Sequence, residues 1–211
     1  RFSPLAQINT SNVANLKAAW TFSTGTLRGH EGTPLVVGNV MFVHTSFPNI
    51  VYALDLSKEG APQIWKYVPN QSPDAIPIAC CDLVNRGTAY HQSGKIYINA
   101  LQGDLIALDA KTGKELWKAR HPKSSPTQVE AQDYKDGATI TVAPIVIKDI
   151  VINGISGGEF GVRGRVSAFD ANTGKHMWTA YSTGPDSETL VPEVANANYA
   201  SHKGKDLGIS T

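Results

Sequence analysis

Leu105-Ile106-Ala107-Leu108-Asp109-Ala110-Lys111-Thr112-Gly113-Lys114-Glu115-Leu116-Trp117 reads as a β-run, a tight turn and a second run closed by tryptophan. The pattern returns as Val166-Ser167-Ala168-Phe169-Asp170-Ala171-Asn172-Thr173-Gly174-Lys175-His176-Met177-Trp178. A shorter copy, Val51-Tyr52-Ala53-Leu54-Asp55, leads to Trp65, and Trp20 in Leu16-Lys17-Ala18-Ala19-Trp20 reads as the tail of a preceding copy. Asp ahead of Thr-Gly suits a tight turn, because its carboxylate can accept a hydrogen bond from the backbone two residues on. The recurring tryptophan is a large apolar plate with one N–H to place, which suits packing between neighbouring sheets.

Ahead of each copy lies a hairpin signal. Pro34–Val37, Gly38-Asn39 and Val40–His44 form the first, Gly87–His91, Ser93-Gly94 and Lys95–Asn99 the second, and Ala143–Ile147, Lys148-Asp149 and Ile150–Asn153 the third. Each repeat is thus expected to hold four short antiparallel strands on a period of roughly 40–50 residues, the pattern of a β-propeller blade. The fold class is all-β, and residues 1–211 read as one stretch of a propeller domain: about three full blades plus the end of another.

The remaining statistics limit the partners. The 211 residues carry 19 Lys+Arg against 18 Asp+Glu, a net charge of +1, so no global field draws the chain to nucleic acid or anionic lipid. The apolar and charged fractions, 41% and 18%, are those of a globular domain, and no apolar run approaches the roughly 18 residues of a transmembrane segment. The opening RFSPLAQINT lacks the apolar core of a signal peptide and reads as mature protein.

In a four-stranded meander the strand 2–3 loop and the connector after strand 4 leave the sheet on the same side. Ser23–Thr33, Val68–Arg86, Ala119–Thr141 and Gly154–Gly164 are the long segments of that kind, and long insertions on one side of a repeat array mark a binding face. They hold the unusual chemistry: Arg28-Gly29-His30-Glu31-Gly32, the adjacent Cys80-Cys81 followed by Arg86, Thr141, and Gly154-Ile155-Ser156-Gly157-Gly158-Glu159-Phe160-Gly161-Val162-Arg163-Gly164. Glu31, Cys80, Arg86, Thr141 and Glu159 are therefore expected to converge on one rim.

Several chemistries are set aside by motif. The 154–164 loop is not G-x-G-x-x-G and has no βαβ setting, so a nicotinamide site is not expected. Lys114 and Lys175 follow glycine without a following Ser or Thr, which excludes a P-loop. Gly154-Ile155-Ser156-Gly157-Gly158 spells G-x-S-x-G but lacks the helix that a nucleophile elbow requires. Adjacent cysteines have the wrong spacing for zinc or haem attachment. His30, His44, His91, His121, His176 and His202 form no metal-spacing pair. On the residues alone, Cys80 and Cys81 are either buried thiols or a small disulfide ring, Arg86 either an anion fork or a surface ion pair, and Glu159 either a ligand or a solvated carboxylate.

Together these segments resemble the quinoprotein alcohol dehydrogenases, most closely the periplasmic methanol dehydrogenases that use pyrroloquinoline quinone (PQQ). The likeness runs from Asn15-Leu16…Trp20 to Gly204-Lys205-Asp206-Leu207-Gly208, and Cys80-Cys81…Arg86 with SGGEFGVRG makes it specific. It implies an eight-bladed propeller of which this chain is the N-terminal part. It implies a Cys80–Cys81 disulfide against one face of the quinone, formed in an oxidising compartment. Glu31, Arg86, Thr141, Ser156, Gly157 and Gly158 would contact PQQ, and Glu159 would ligate Ca²⁺ or a lanthanide, with the GGEFGVRG wording leaning to the lanthanide branch. Arg163 matches the motif, with a structural role inside the loop as its alternative.

The activity so implied is oxidation of methanol or another short primary alcohol to an aldehyde, with electrons passing to a cytochrome c. A homodimer or a small subunit is a further partner. The catalytic base Asp is expected beyond Thr211, so no catalytic residue is assigned within this stretch. Two other readings share the repeats: a non-catalytic periplasmic propeller scaffold, and a quinoprotein dehydrogenase for larger alcohols or sugars. Cys80-Cys81, Arg86 and Glu159 separate the enzyme from the scaffold, which has no use for them on one face.

Overall fold

The computed structural model describes residues 4–80, 82–122, 133–184 and 186–190. Among them lie three four-stranded antiparallel sheets, each a simple meander. The first comprises β1 (Leu35–Val37), β2 (Val40–His44), β3 (Val51–Asp55) and β4 (Gln63–Tyr67). The second holds β5 (Ala89–His91), β6 (Lys95–Asn99), β7 (Asp104–Asp109) and β8 (Glu115–Arg120), and the third β9 (Ile145–Ile147), β10 (Ile150–Gly154), β11 (Arg165–Asp170) and β12 (His176–Tyr181). The expected all-β propeller blades are present, with hairpin turns where the Gly-Asn, Ser-Gly and Lys-Asp pairs place them. The second and third hairpins open two residues later than expected. Gly87 stands at φ +151°, outside extended strand geometry, and so delays the start of β5.

The third strands of the first two blades are buried on both faces, which explains their near-continuous apolar runs, whereas Val166 in the third blade's is exposed. Phe42, Val51, Ala53 and Trp65 of the first blade meet Ile96, Ile98, Ile106 and Leu108 of the second. Tyr97, Leu105 and Ala107 meet Val151, Phe169 and Ala171 in the same way. The core is thus a stack of inter-blade layers, and the tryptophans are its joints. Trp65 lies on the Gly113 turn of the next blade and donates its N–H to Ala110 O at 3.1 Å. Trp117 lies on Gly174 in the equivalent place.

Every β3–β4-type pair carries a bulge at one register, skipping Ile64, Leu116 and Met177 in turn. Each skipped side chain is exposed, while Trp65 and Trp117, which follow the first two, are aimed at the neighbouring blade. Asp109 and Asp170 accept the amide hydrogens two and three residues on and the Thr112 or Thr173 hydroxyl, as the turn motif requires. Those side-chain and backbone hydrogen bonds hold both carboxyls below the ordinary carboxylate range. Leu16–Trp20 is not a strand, because no strand of its own sheet is present among the described residues to pair with it. Trp20 and Phe22 instead pack on Ile50, Tyr52, Leu54 and Ala61 of the first blade.

His121, fully buried just past β8, bonds Ser167 Oγ through Nδ1 at 2.8 Å. Burial, reinforced by Arg165 and His176, lowers its pKa to about 3. The unfolded chain takes up a proton near pH 6.5 that the folded chain refuses. The contribution of neutral His121 is therefore complete above that pH and is lost as pH falls towards 3. At pH 5 the loss is about 2 kcal/mol relative to pH 7. The urea midpoint should fall over this interval, and His121→Asn should flatten the fall; equal pH dependence in parent and variant would refute the assignment.

Candidate functional site

The strand 2–3 loops and the inter-blade connectors interlock on one rim. Phe47 N–H reaches Leu83 O at 2.9 Å, Gln71 Nε2 reaches Pro48 O at 2.7 Å, and Ile140 N–H reaches Leu101 O at 3.1 Å. Thr139 and Ser156 exchange backbone bonds at 3.2 and 2.8 Å, joining the third connector to the glycine loop. Two apolar plugs support the rim from below: Ala75, Leu83, Leu101 and Tyr134, then Ala138, Ile140 and Ile155.

Arg86 is the centre of this rim. Its N–H donates to Thr141 O at 3.0 Å, Nη1 donates to Thr141 Oγ1 at 2.8 Å, and Nη2 lies 3.3 Å from Glu31 Oε2. Thr141 Oγ1 is in turn 3.4 Å from Ser156 Oγ. Four residues from four segments, separated by up to 125 positions, thereby touch in sequence. The Arg86 and Glu31 side chains are half exposed, so their ion pair contributes about 0–1 kcal/mol at most. The arrangement leaves one side of a guanidinium fork facing solvent beside two hydroxyls. That donor set suits a carboxylate.

Local packing explains how Glu31 is held. A Cβ on Gly32 would lie 1.7 Å from His44 Nε2, so the loop rests directly on the imidazole. His44 is buried, which lowers its pKa and keeps the ring neutral, and Nε2–H donates to Asn85 O at 3.0 Å. His30 bonds Thr24 Oγ1 and Arg28 O within its own loop and so shapes it. Arg28 pairs with Asp82 at 3.3 Å, tying this loop to the segment that follows the cysteines. Cys80 is exposed and disulfide-bonded; Cys81 lies outside the described residues.

The glycine loop bends sharply next to Ser156. Gly157 stands at φ +119°, and a Cβ there would lie 2.5 Å from Gly137 O. A single 3-10 turn, Gly158–Phe160, follows and ends at Gly161 with φ +82°. Glu159 projects from this turn into solvent, with no hydrogen bond or ion pair to any described residue. Its loop is the one carrying Ser156, so it shares the Arg86 rim. Among the described residues no group of three or more His, Cys, Asp and Glu could hold a metal. A cation at Glu159 would therefore draw its other ligands from elsewhere. Arg163 takes the structural alternative: Nε and Nη2 donate to Thr183 O, and the guanidinium lies 3.9 Å from the Tyr181 ring centre.

The structure thus brings Glu31, Arg86, Thr141 and Ser156 into direct contact, and puts Cys80, Gly157, Gly158 and Glu159 on the same rim. Sequence reasoning quoted Arg28 only within its motif and His44 only among the histidines, and did not single out Asp82, Asn85 or Asn99. The available signal was positional: His44 and Asn99 are polar residues that follow three apolar ones and close second strands at equivalent registers.

Comparison with known proteins bears on this rim. Residues 1–205 match the family model for the PQQ glucose/ethanol/alcohol dehydrogenase β-propeller domain. A lanthanide-dependent methanol dehydrogenase of Methylacidiphilum fumariolicum (strain SolV) is 54% identical over the whole chain, which covers 33% of that protein. Methanol dehydrogenase [cytochrome c] subunit 1 of Paracoccus denitrificans is 46% identical over the whole chain and is covered to 32%. A solved europium-containing methanol dehydrogenase superposes with TM-score 0.86 at 53% identity, over 98% of this chain and 34% of its own. The chain spans about a third of the length of these relatives. It belongs to the PQQ-dependent glucose, ethanol and alcohol dehydrogenase family, as a stretch of that family's β-propeller domain.

Proposed function

We propose that the protein is a PQQ- and metal-dependent alcohol dehydrogenase acting on methanol or another short primary alcohol. The observation that carries this reading is the Glu31–Arg86–Thr141–Ser156 cluster on the rim shared by Cys80 and Glu159. The donor set fits the cofactor, whose three carboxylates and o-quinone call for a fixed cationic fork, hydroxyl donors and open backbone amides. When bound, the quinone supplies the two-electron oxidant and the cation a Lewis acid for it.

Arg86 binds a carboxylate through its solvent-facing edge, and Glu31 holds the guanidinium from behind. Thr141 and Ser156 present hydroxyls at the next positions, while Gly157 and Gly158 let backbone approach without side-chain bulk. Cys80, exposed and disulfide-bonded, offers a sulfur surface for the ring. Glu159 supplies the hard anionic oxygen that Ca²⁺ or a lanthanide takes and a thiolate-seeking ion does not. The general base is assigned to no residue of this chain. The relatives' names support methanol as substrate and cytochrome c as acceptor, and the designation subunit 1 supports a further subunit or second copy. An oxidised Cys80 supports a periplasmic setting.

The test is titration of the metal-loaded, full-length apoprotein with PQQ. Arg86→Ala should weaken binding about 30-fold with unchanged circular dichroism, since it removes a charge-assisted bidentate contact. Unaltered PQQ affinity in that variant, with no methanol-dependent dye reduction by the parent, would overturn the reading.

A further inference from the structure

Beneath the rim runs a line of buried polar side chains, of which the site description uses only the His44–Asn85 contact. His44, Asn85, Asn99 and Asn153 are each 4% exposed or less. His44 donates to Asn85 O at 3.0 Å, and Asn85 Nδ2 donates to Asn99 O at 2.8 Å. Asn85 Oδ1 accepts Gly87 N–H at 3.0 Å. Asn99 Nδ2 reaches both Val142 O and Asn153 Oδ1 at 2.8 Å. The line crosses three blades, two of its links running from a side chain to a backbone carbonyl and the last from side chain to side chain.

Its attachment points coincide with the rim. Asn85 fixes its own residue and Gly87, the two neighbours of Arg86. Asn99 fixes the carbonyl of Val142, the residue after Thr141. Arg86 N–H and Thr141 O then close the circuit at 3.0 Å. Burying amides costs about 1–3 kcal/mol each unless they are bonded. Apolar residues would make a simpler joint between blades at these strand ends. What the amides add is register: a shift of one blade against the next moves the Arg86 backbone only by breaking two or more bonds.

We infer that Asn85 and Asn99 are positioning residues that set the Arg86–Thr141 pair for an anionic ligand. The inference rests on the quinone reading above, and it concerns residues that act only through Arg86 and Thr141. Ligand contacts tolerate little misplacement, and residues supporting a first layer of contacts commonly alter affinity 10- to 100-fold.

The experiment is a double-mutant cycle in PQQ affinity, using full-length apoprotein with La³⁺ present throughout and heat unfolding followed in parallel. Asn85→Ala should weaken PQQ about tenfold in the parent and less than about twofold in an Arg86→Ala background, the non-additivity of residues acting as one unit. Asn85→Ser, which keeps an acceptor for Gly87 N–H, should recover part of the loss and serves if the alanine variant does not fold. Equal losses in both backgrounds, or none in either, overturn the inference while leaving the quinone reading standing. Failure of both Asn85 variants to fold also overturns it, since the line is then a stability element. Arg86→Ala that binds PQQ like the parent overturns the quinone reading itself.

Discussion

Glu159→Gln in the full-length enzyme is expected to lower alcohol oxidation about a thousandfold and to weaken metal binding with it. Lewis-acid stabilisation by a bound cation supplies several kcal/mol, and each 1.36 kcal/mol is a factor of ten in rate. Glutamine keeps the shape of the side chain and removes the charge that a hard cation seeks. Folding should be untouched, because Glu159 is exposed on a one-turn loop and bonds no described residue. Surface changes of that kind usually stay within about 0.5 kcal/mol. The informative measurement is La³⁺ or Ca²⁺ titration of apoprotein beside PQQ binding, since cofactor and cation sharing a site should each weaken without the other. A variant that keeps the parent's metal affinity and turnover makes Glu159 a solvated carboxylate and moves the cation elsewhere.

The blades could be read from the chain because their signals are local. Gly38-Asn39 and Lys148-Asp149 each turn a hairpin within two residues and Gln92-Ser93-Gly94 within three, and Asp109 and Asp170 bond amides two and three positions away. The common rim followed from topology, since a meander fixes which loops leave on which side. The contacts within the site had no such local source. Arg86 meets Thr141 across 55 positions, and only the stacking of one blade on the next brings them together. Family likeness, not spacing, nominated those two residues. The Asn85–Asn99 line was missed for a related reason: an Asn ending a strand reads as a turn residue until a neighbouring blade is known to bury it. Leu16–Trp20 shows the converse, a strand signal with no ladder to join.

Trp65→Ala is expected to cost about 3–5 kcal/mol, two to four powers of ten in the folding equilibrium. The ring is 8% exposed, packs 5.8 Å from the Phe42 ring centre, and gives its N–H to the following blade. Its seat is Gly113, at φ +72°, where a Cβ would lie 2.6 Å from the indole carbons. Gly113→Ala should therefore cost about 2–4 kcal/mol, combining left-handed strain with overpacking. In the Trp65→Ala background the overpacking vanishes, and the same change should cost only about 1 kcal/mol. Trp117 provides an internal control. It sits on Gly174 in the same way, yet Tyr97 Oη donates to Ala171 O at 2.7 Å, the carbonyl equivalent to the one Trp65 uses. The Trp117 N–H has no hydrogen-bond partner among the described residues. Trp65→Phe thus loses a hydrogen bond worth about 1 kcal/mol that Trp117→Phe does not. Urea midpoints of the two phenylalanine variants should separate in that order. If Gly113→Ala costs the same with and without Trp65, the indole is not what the glycine accommodates, and the blade joint lies elsewhere.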